Sequence, residues 1–477
     1  MKKRNWAWLC CFVVPALAQG PVQRPPASTV PATIPAPGLA STTQSQYQGS
    51  VATDQATQTP FMLSLQDAIA RGLKTNLGLL VRDSGTRLAQ AERIRALSAL
   101  LPSVAGGVTE TDQQLDLASF GFHFAGVPSL IGPFAYIDAR ATAAQRVFDW
   151  TALKNKQSAE QNVKATQLSV QDGRDLVVQA VASAYLLIIA DAARVEATRA
   201  QVATAEALYE RARDQHTAGV SPAIDELRSK VELRTQQQQL LSQENQLAKD
   251  KLSLARVIGL PSGQPFDLSD TVPYAPLEGL VEDQALRRAR DSRSDYQSAL
   301  MQVRAAETSL QAVRGERYPT LEVAGNYGDI GTSLDNSHGT FAVTGSLKFN
   351  IFDGGKIRAD TMQAEAVIQQ RKDELADLQG QIDFQVRAAL LDLKTAADQV
   401  AVSRDNLDLA NQTLTQARDR FAAGVTDNIE VVQAQDSVAN ANQSLISSVY
   451  LHNLAKVSLA RAVGATETSL RQFMGGQ

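Results

Sequence analysis

From Asp353 to Gly424 the chain carries one helical pattern with no proline, and no other feature restricts its fold more. The larger apolar residues Val386, Leu393, Val400, Leu407, Leu414 and Phe421 recur every seven positions. Between them, at three/four spacing, stand Ile382, Ala389, Ala396, Ser403, Ala410 and Ala417. Such a repeat keeps one seam facing a partner helix and predicts a left-handed supercoil, with the small residues permitting close backbone approach. About 70 residues at 1.5 Å each make a rod of roughly 100 Å. No ordinary globular core needs a helix of that length.

The pattern occurs twice. Val181, Ile188, Val195, Val202, Tyr209 and His216 lie 205 positions before the second set, and Ala184, Ala205 and Ala212 match Ala389, Ala410 and Ala417. The chain therefore reads as a tandem duplication built on two long coiled-coil helices.

What precedes the first copy has no core-forming content. Residues 1–18 have a basic start (Lys2, Lys3, Arg4), an apolar run and an Ala16-Leu17-Ala18 exit, the layout of a cleaved secretory signal. Residues 19–60, rich in Pro, Thr, Ser and Gln, read as a flexible leader. Both cysteines, Cys10 and Cys11, fall inside the signal, so a disulfide, a thiolate nucleophile and a lipid anchor are not expected in the exported chain. A net charge of −4 with the charges well mixed argues against a nucleic-acid partner. The most apolar run, Leu176 to Ala193, contains Gln179, Ser183, Tyr185 and Asp191 and continues the heptad on both sides. It reads as coiled-coil core rather than a membrane span.

Each copy has the same order of elements. A first repeat over 61–259 begins at Leu63-Ser64-Leu65, with Ser64 as helix N-cap and Asp67 at the capping-box position, and runs helically to Leu101 before Pro102. Its counterpart, in a second repeat over 279–464, begins near Gly279 and stops before Pro319. Residues 260–278 form a linker and 465–477 a tail.

Strand signals follow each stop. In the second copy Leu321, Val323, Gly325 and Tyr327 alternate with Thr320, Glu322, Ala324 and Asn326. After a turn expected over Gly328 to Gly339, Phe341, Val343, Gly345, Leu347, Phe349 and Ile351 alternate with Thr344, Ser346, Lys348 and Asn350. The first copy has Ile137, Ala139, Ala141, Ala143 and Val147 opposite Asp138, Arg140, Thr142 and Arg146, after a longer loop around Leu117 to Phe134. A period of two with one apolar face suits strands that cross a bilayer in a barrel.

Asp149 and Asp353 then stand as caps of the long helices, and Ala218-Gly219-Val220 and Ala423-Gly424-Val425 end them. Return helices follow, with Leu233, Leu240, Leu247 and Leu254 in one copy and Val431, Val438, Leu445 and Leu459 in the other. Four lipid-facing strands cannot close on themselves, because an open edge in hydrocarbon leaves unpaired backbone groups at several kcal/mol each. Closure must come from other chains.

This duplicated order, the Leu-Pro-Ser and Tyr-Pro-Thr strand entries, the Phe-Asp-Gly-Gly turn and the paired Ala-Gly-Val tips resemble the TolC-like outer-membrane efflux proteins over about residues 63 to 465. The resemblance implies a mixed, mostly α fold, in which long coiled-coil helices form an α-barrel and four strands per chain contribute to a trimeric transmembrane β-barrel. It implies a homotrimer in outer-membrane lipid with its helical tunnel in the periplasm. The partners implied are a periplasmic adaptor (membrane fusion) protein and, through it, an inner-membrane transporter. The function implied is that of an exit duct of a tripartite efflux or type I secretion system.

Site residues also follow from the resemblance. In that family acidic side chains of the second return helix ring a mouth that closes like an iris. Alignment on Gly424 places Glu430 at the first acidic position and Gln433 at the second, where the family pattern has another acid. The acid of the first copy falls on Asp225, next to Glu226, and a basic latch residue falls on Thr426, so that latch is expected to be missing. The grooves around Gly219, Val220, Gly424 and Val425 are where, by similarity, the adaptor docks. Read without the family, Asp225, Glu226 and Glu430 are first-turn acids that complement a helix dipole and the glycines are helix stops, and both uses are compatible.

Nothing points to an enzyme or a cofactor. His123, His216, His338 and His452 are scattered, two in expected loops and two on heptad seams, with no metal-ligand spacing. No nucleophile motif or phosphate loop occurs. The alternative from another class is a periplasmic coiled-coil scaffold that transports nothing, for which a clean two-faced strand pair would have no use.

Overall fold

Two helices dominate the computed structural model, as the heptads require: α3 over Trp150–Thr217 and α7 over Lys356–Ala422. The residues described are 47, 49–52, 55–57, 59–123, 125–270, 274–277, 281–423, 425–426, 428–464 and 466–467. The expected signal, most of the leader, most of the tail and Gly424 lie outside them.

Asp149 accepts the amide of Ala152 at 2.9 Å, and Asp353 accepts those of Gly355 and Ile357 at 3.0 and 2.9 Å, so both aspartates satisfy helix-start donors. At the far end Gly219 takes φ +74° and Val220 donates to the Gln215 carbonyl at 2.9 Å, a left-handed stop. Val425 repeats that bond to Arg420 at 3.0 Å. The seam is core where neighbours surround it: Val181, Ile188 and Val195 on α3 and Ile382, Val386, Ala389 and Val400 on α7 are buried. Toward the tips the seam residues of these two helices that stay buried are the alanines Ala205, Ala212, Ala410 and Ala417.

The return helices are α4 over Ala223–Val257 and α8 over Asn428–Ala462. The helix expected from Leu65 to Leu101 is two helices, α1 over Leu65–Thr75 and α2 over Leu77–Ser98, broken at Asn76. Its counterpart breaks at Arg293, 217 positions later, between α5 over Glu282–Ser292 and α6 over Ser294–Gly315. Both breaks are buried polar residues in extended backbone whose side chains reach distant partners. Asn76 Nδ2 donates to the Tyr47 carbonyl at 2.6 Å, and the Arg293 guanidinium binds Gln385 and Asp295, each at 2.6 Å.

Two further expectations need correction. The end of the leader is packed: Tyr47 is buried, Leu77 donates to the Gly49 carbonyl and Val51 to that of Thr75. The linker is structured as well, because β1 over Phe61–Leu63 pairs in parallel with β4 over Phe266–Leu268. The apolar stretch Leu176 to Ala193 lies within α3. By length and composition one window of that helix could cross a bilayer, and half of the window is buried. Val177, Val181, Tyr185 and Ile188 pack there with Leu63, Leu254 and Phe266 as core.

The main sheet has four antiparallel strands in the order β2 (Ser103–Asp116), β3 (Leu130–Phe148), β5 (Thr320–Gly331), β6 (Ser337–Lys348). The β3/β5 pair joins the two repeats, and β2 and β6 are edges. The strands outrun their sequence signal. β3 begins inside the loop expected over 117–134, and β5 and β6 take up most of the turn expected over 328–339, so His338 is a strand residue. A bulge at Val147, between Arg146 and Phe148, interrupts the ladder just before α3 begins.

Candidate functional site: a two-faced sheet and two helix tips

Register decides what each face of the sheet presents. Val104, Ala143, Gly325 and Val343 form one cross-strand row, and Gly106, Ala141, Tyr327 and Phe341 form the next. This face is apolar and bare, with Phe341 77% exposed. The opposite face is knitted by polar contacts: Arg140 binds Asp138 at 3.1 Å, Asn326 at 2.6 Å and Thr340 at 3.2 Å, and Lys348 reaches Glu322 at 3.4 Å. A sheet oily on one side and hydrogen-bonded on the other suits lipid outside and water inside. Strands of 12 residues or more are long enough to cross hydrocarbon at a tilt.

The other end of the molecule is the pair of helix tips. Asp225, half-buried in the first turn of α4, accepts the Ser221 hydroxyl at 3.0 Å, and Arg228 stands 3.8 Å away. Glu226 lies 4.0 Å from the His216 ring, whose Nδ1 is 3.3 Å from the Ser221 carbonyl. In the second copy Glu430 pairs with Arg420 at 3.1 Å. Thr426 is half-buried, Gln433 is exposed with its carbonyl accepting the Ser437 hydroxyl, and Val220 and Val425 are exposed. Nothing lies within 4 Å of a Cβ built on Gly219, so the backbone there is open to a partner.

The structure thus brings each tip acid to a partner in its own subunit, and that partner was missed in the sequence. Thr426 supplies no cation, but Arg420, in the last turn of α7, does. Its position at a helix C-terminus, where a cation complements the dipole, is the signal that could have found it. The two tips differ in a way the duplication makes plain. Phe421 and Val431 pack in an apolar cluster with Ala417 and Ala434, and 205 positions earlier the same places hold His216 and Glu226. At these matched positions the second tip has an apolar contact and the first a pair of polar side chains.

Between sheet and tips, buried charges tie the copies together. Asp172 of α3 receives Arg82 of α2 at 2.8 Å and also Arg461 of α8. Arg174 pairs with Glu467, whose amide donates to Asp175 at 3.2 Å. The Asp172–Arg461 and Arg174–Glu467 links cross from the first repeat to the end of the second and the start of the tail, so the two copies are fastened by side chains as well as by the β3/β5 ladder.

Comparison with known proteins adds a consistent result. A family model described as Outer membrane efflux protein matches residues 73–260 and 285–465. The antibiotic efflux pump outer membrane protein ArpC of Pseudomonas putida is 26% identical over 325 residues, covering 66% of this chain and 64% of that protein. The toluene efflux pump outer membrane protein TtgC of the same species matches to the same extent, so the alignment spans just under two thirds of these relatives' length. Among solved structures, the Campylobacter jejuni CmeC outer membrane channel superposes with a TM-score of 0.73 at 15% identity, over 90% of this chain and 95% of that one. That likeness is one of fold.

Proposed function

Since this chain belongs to the outer membrane efflux protein family, we propose that it is one third of a passive exit duct in the outer membrane. An inner-membrane transporter, reached through a periplasmic adaptor, would supply both the cargo and the energy. The observation that carries this reading is the four-stranded sheet with an apolar face and two unpaired edges. Unpaired backbone groups in hydrocarbon cost several kcal/mol each, so β2 and β6 must meet strands of other subunits. Three copies pool twelve strands.

Further support comes from α7. Phe384, Leu391, Val402 and Leu409 are exposed at spacings of 7, 11 and 7 residues, and so share one helix face. An apolar stripe of that length on a water-exposed rod suits subunit packing in an α-barrel. Tip acids Asp225, Glu226 and Glu430, with Gln433 and Thr426, surround the periplasmic mouth in this reading. Gly219, with Val220, offers open backbone on which the adaptor docks, and the expected docking site at Gly424 and Val425 is its counterpart in the second copy. The relatives' names, antibiotic and toluene efflux, favour small-molecule export over protein secretion.

A non-transporting periplasmic scaffold would have no use for the bare face around Phe341 and Val343. The test is fractionation and electrophysiology on the purified chain. A heat-resistant trimer in outer-membrane fractions that conducts in planar bilayers is expected, and a soluble, non-conducting monomer would overturn the duct.

A further inference from the structure

Where β5 and β6 meet the helices, a cleft of about 480 Å³ is lined by Arg314, Arg317, Tyr318 and Thr361. The local charges are unevenly satisfied. Lys356 holds Glu316 at 2.7 Å and Asp360 at 3.0 Å, and Arg314 reaches Glu365 at 2.8 Å. Among the described residues Arg317 makes no ion pair within 4 Å, and its charge acts at longer range on Asp353. Both arginines are exposed. A guanidinium with free donors beside a second one is suited to a phosphate, which accepts two parallel N–H bonds from each fork.

The surroundings are those of a membrane boundary. Phe349 and Ile351 continue the parity of Phe341, Val343 and Leu347 below the last residue of β6, and Ile351 is 89% exposed. Tyr318 meets Trp150 edge-on at 5.9 Å, and Lys154 lies 4.9 Å over that indole. Amphipathic rings and cations at one level, with bare apolar side chains just beyond, mark the headgroup zone of a bilayer.

We propose that this cleft binds the phosphodiester of an anionic phospholipid in the periplasmic leaflet, with Arg317 and Arg314 as donors and the acyl chains along Phe349 and Ile351. The inference rests on the duct reading, which puts β5 and β6 in the membrane and α6 and α7 below it. The lipid would pin the joint between barrel and tunnel at the point where each strand turns into a rod.

The test is native mass spectrometry of the full-length trimer with phosphatidylglycerol, phosphatidylethanolamine or inorganic phosphate added at matched ionic strength. The expected result is retention of phosphatidylglycerol over phosphatidylethanolamine, with a loss on the order of fivefold in R317Q and near equality in R314Q/R317Q. Arg87→Gln, which breaks only an exposed pair with Asp83, should leave the preference intact. A preference that survives in the double variant overturns the site. So does full displacement of the lipid by inorganic phosphate, which would mean an adventitious ion only. Conductance in neutral bilayers separates the two readings: a conducting channel without lipid preference sinks the lipid site alone, whereas a chain that neither inserts nor conducts sinks the duct and this site with it.

Discussion

Asp191 is 5% exposed on the seam of α3, with one carboxyl oxygen 2.6 Å from Arg194 and the Asp250 carboxyl of α4 beside it. Burial first, then that neighbouring carboxyl, pushes its pKa up to about 6. His452, 1% exposed on the seam of α8 and 4.7 Å from the Tyr274 ring, is pushed the other way, to about 4, by burial and then by the Lys456 charge. The signs are opposite. Folded Asp191 keeps its proton where the unfolded chain has lost it, so its contribution falls as pH rises from about 4 to 6. Folded His452 sheds its proton where the unfolded chain still holds it, so its contribution rises from about pH 4 to 6.5. At about 1.4 kcal/mol per pH unit, each window amounts to about 3 kcal/mol, and the two nearly cancel. Asp191→Asn should therefore unmask a rise of thermal stability with pH between 4 and 6 relative to the parent, and His452→Leu should unmask a fall relative to the parent. Melting scans of the detergent-solubilised protein measure both, and parallel curves for parent and variants would remove these two groups as opposing titrants. The seam position of His452 was legible from its heptad spacing, and Asp191 was visible as a polar break in an apolar run. The pairing with Asp250 was not, because it depends on how two helices are phased.

At the scale of elements, what was legible was local. Heptads, the aspartate caps and the glycine stop at Gly219 are read from neighbours in the chain, and the structure has them. What was missed depends on remote partners. The breaks at Asn76 and Arg293 carry no proline, and they form because Tyr47 and Gln385 lie across from them. The underestimate of β5 has a related cause. Gly328 and Gly331 look like turn residues, yet a Cβ on Gly328 would sit 2.4 Å from the Ala139 carbonyl oxygen and one on Gly331 2.0 Å from that of Asn336. Gly328 is a glycine because the β3 backbone approaches closely there, and Gly331 because the hairpin into β6 folds back over it. The leader's end was read as flexible for want of apolar composition, but a single ring anchors it: Tyr47 is 1% exposed, with the Arg82 guanidinium 5.6 Å over its face. Tyr47→Ala should cost about 3–5 kcal/mol, as for a buried aromatic ring, and should expose the break at Asn76 to protease. Asn76→Ala, which strands the Tyr47 carbonyl and the Gly78 amide, should expose the same site at about 1–3 kcal/mol per orphaned group. Limited proteolysis with mass mapping checks both, and an unchanged cleavage pattern would show that the strap does not hold the break.

For the molecule as a whole, the proposed trimer makes the tips the place where ions meet its mouth. In that proposed assembly three copies of Glu430 near one axis would repel each other and favour cations, but in each chain Glu430 is held by Arg420 at 3.1 Å. The pair is half-exposed, so it contributes little to the fold, and on the duct reading its effect would be on the charge the mouth presents. Two substitutions should then act in opposite directions. Glu430→Ala removes the ring and should weaken block by divalent cations. Arg420→Ala frees the carboxylates and should strengthen block by about fivefold, the equivalent of about 1 kcal/mol for a charge pair at a wet surface. Gln433→Glu, adding a second ring one turn along α8, should strengthen it further and make it more sensitive to ionic strength. Single-channel recordings with graded divalent cation on the periplasmic side measure all three. If Glu430→Ala and Arg420→Ala leave the block where it was, or shift it the same way, Glu430 does not line the mouth. The polar tip at His216 and Glu226 would then be the better candidate for the residues that meet the ions.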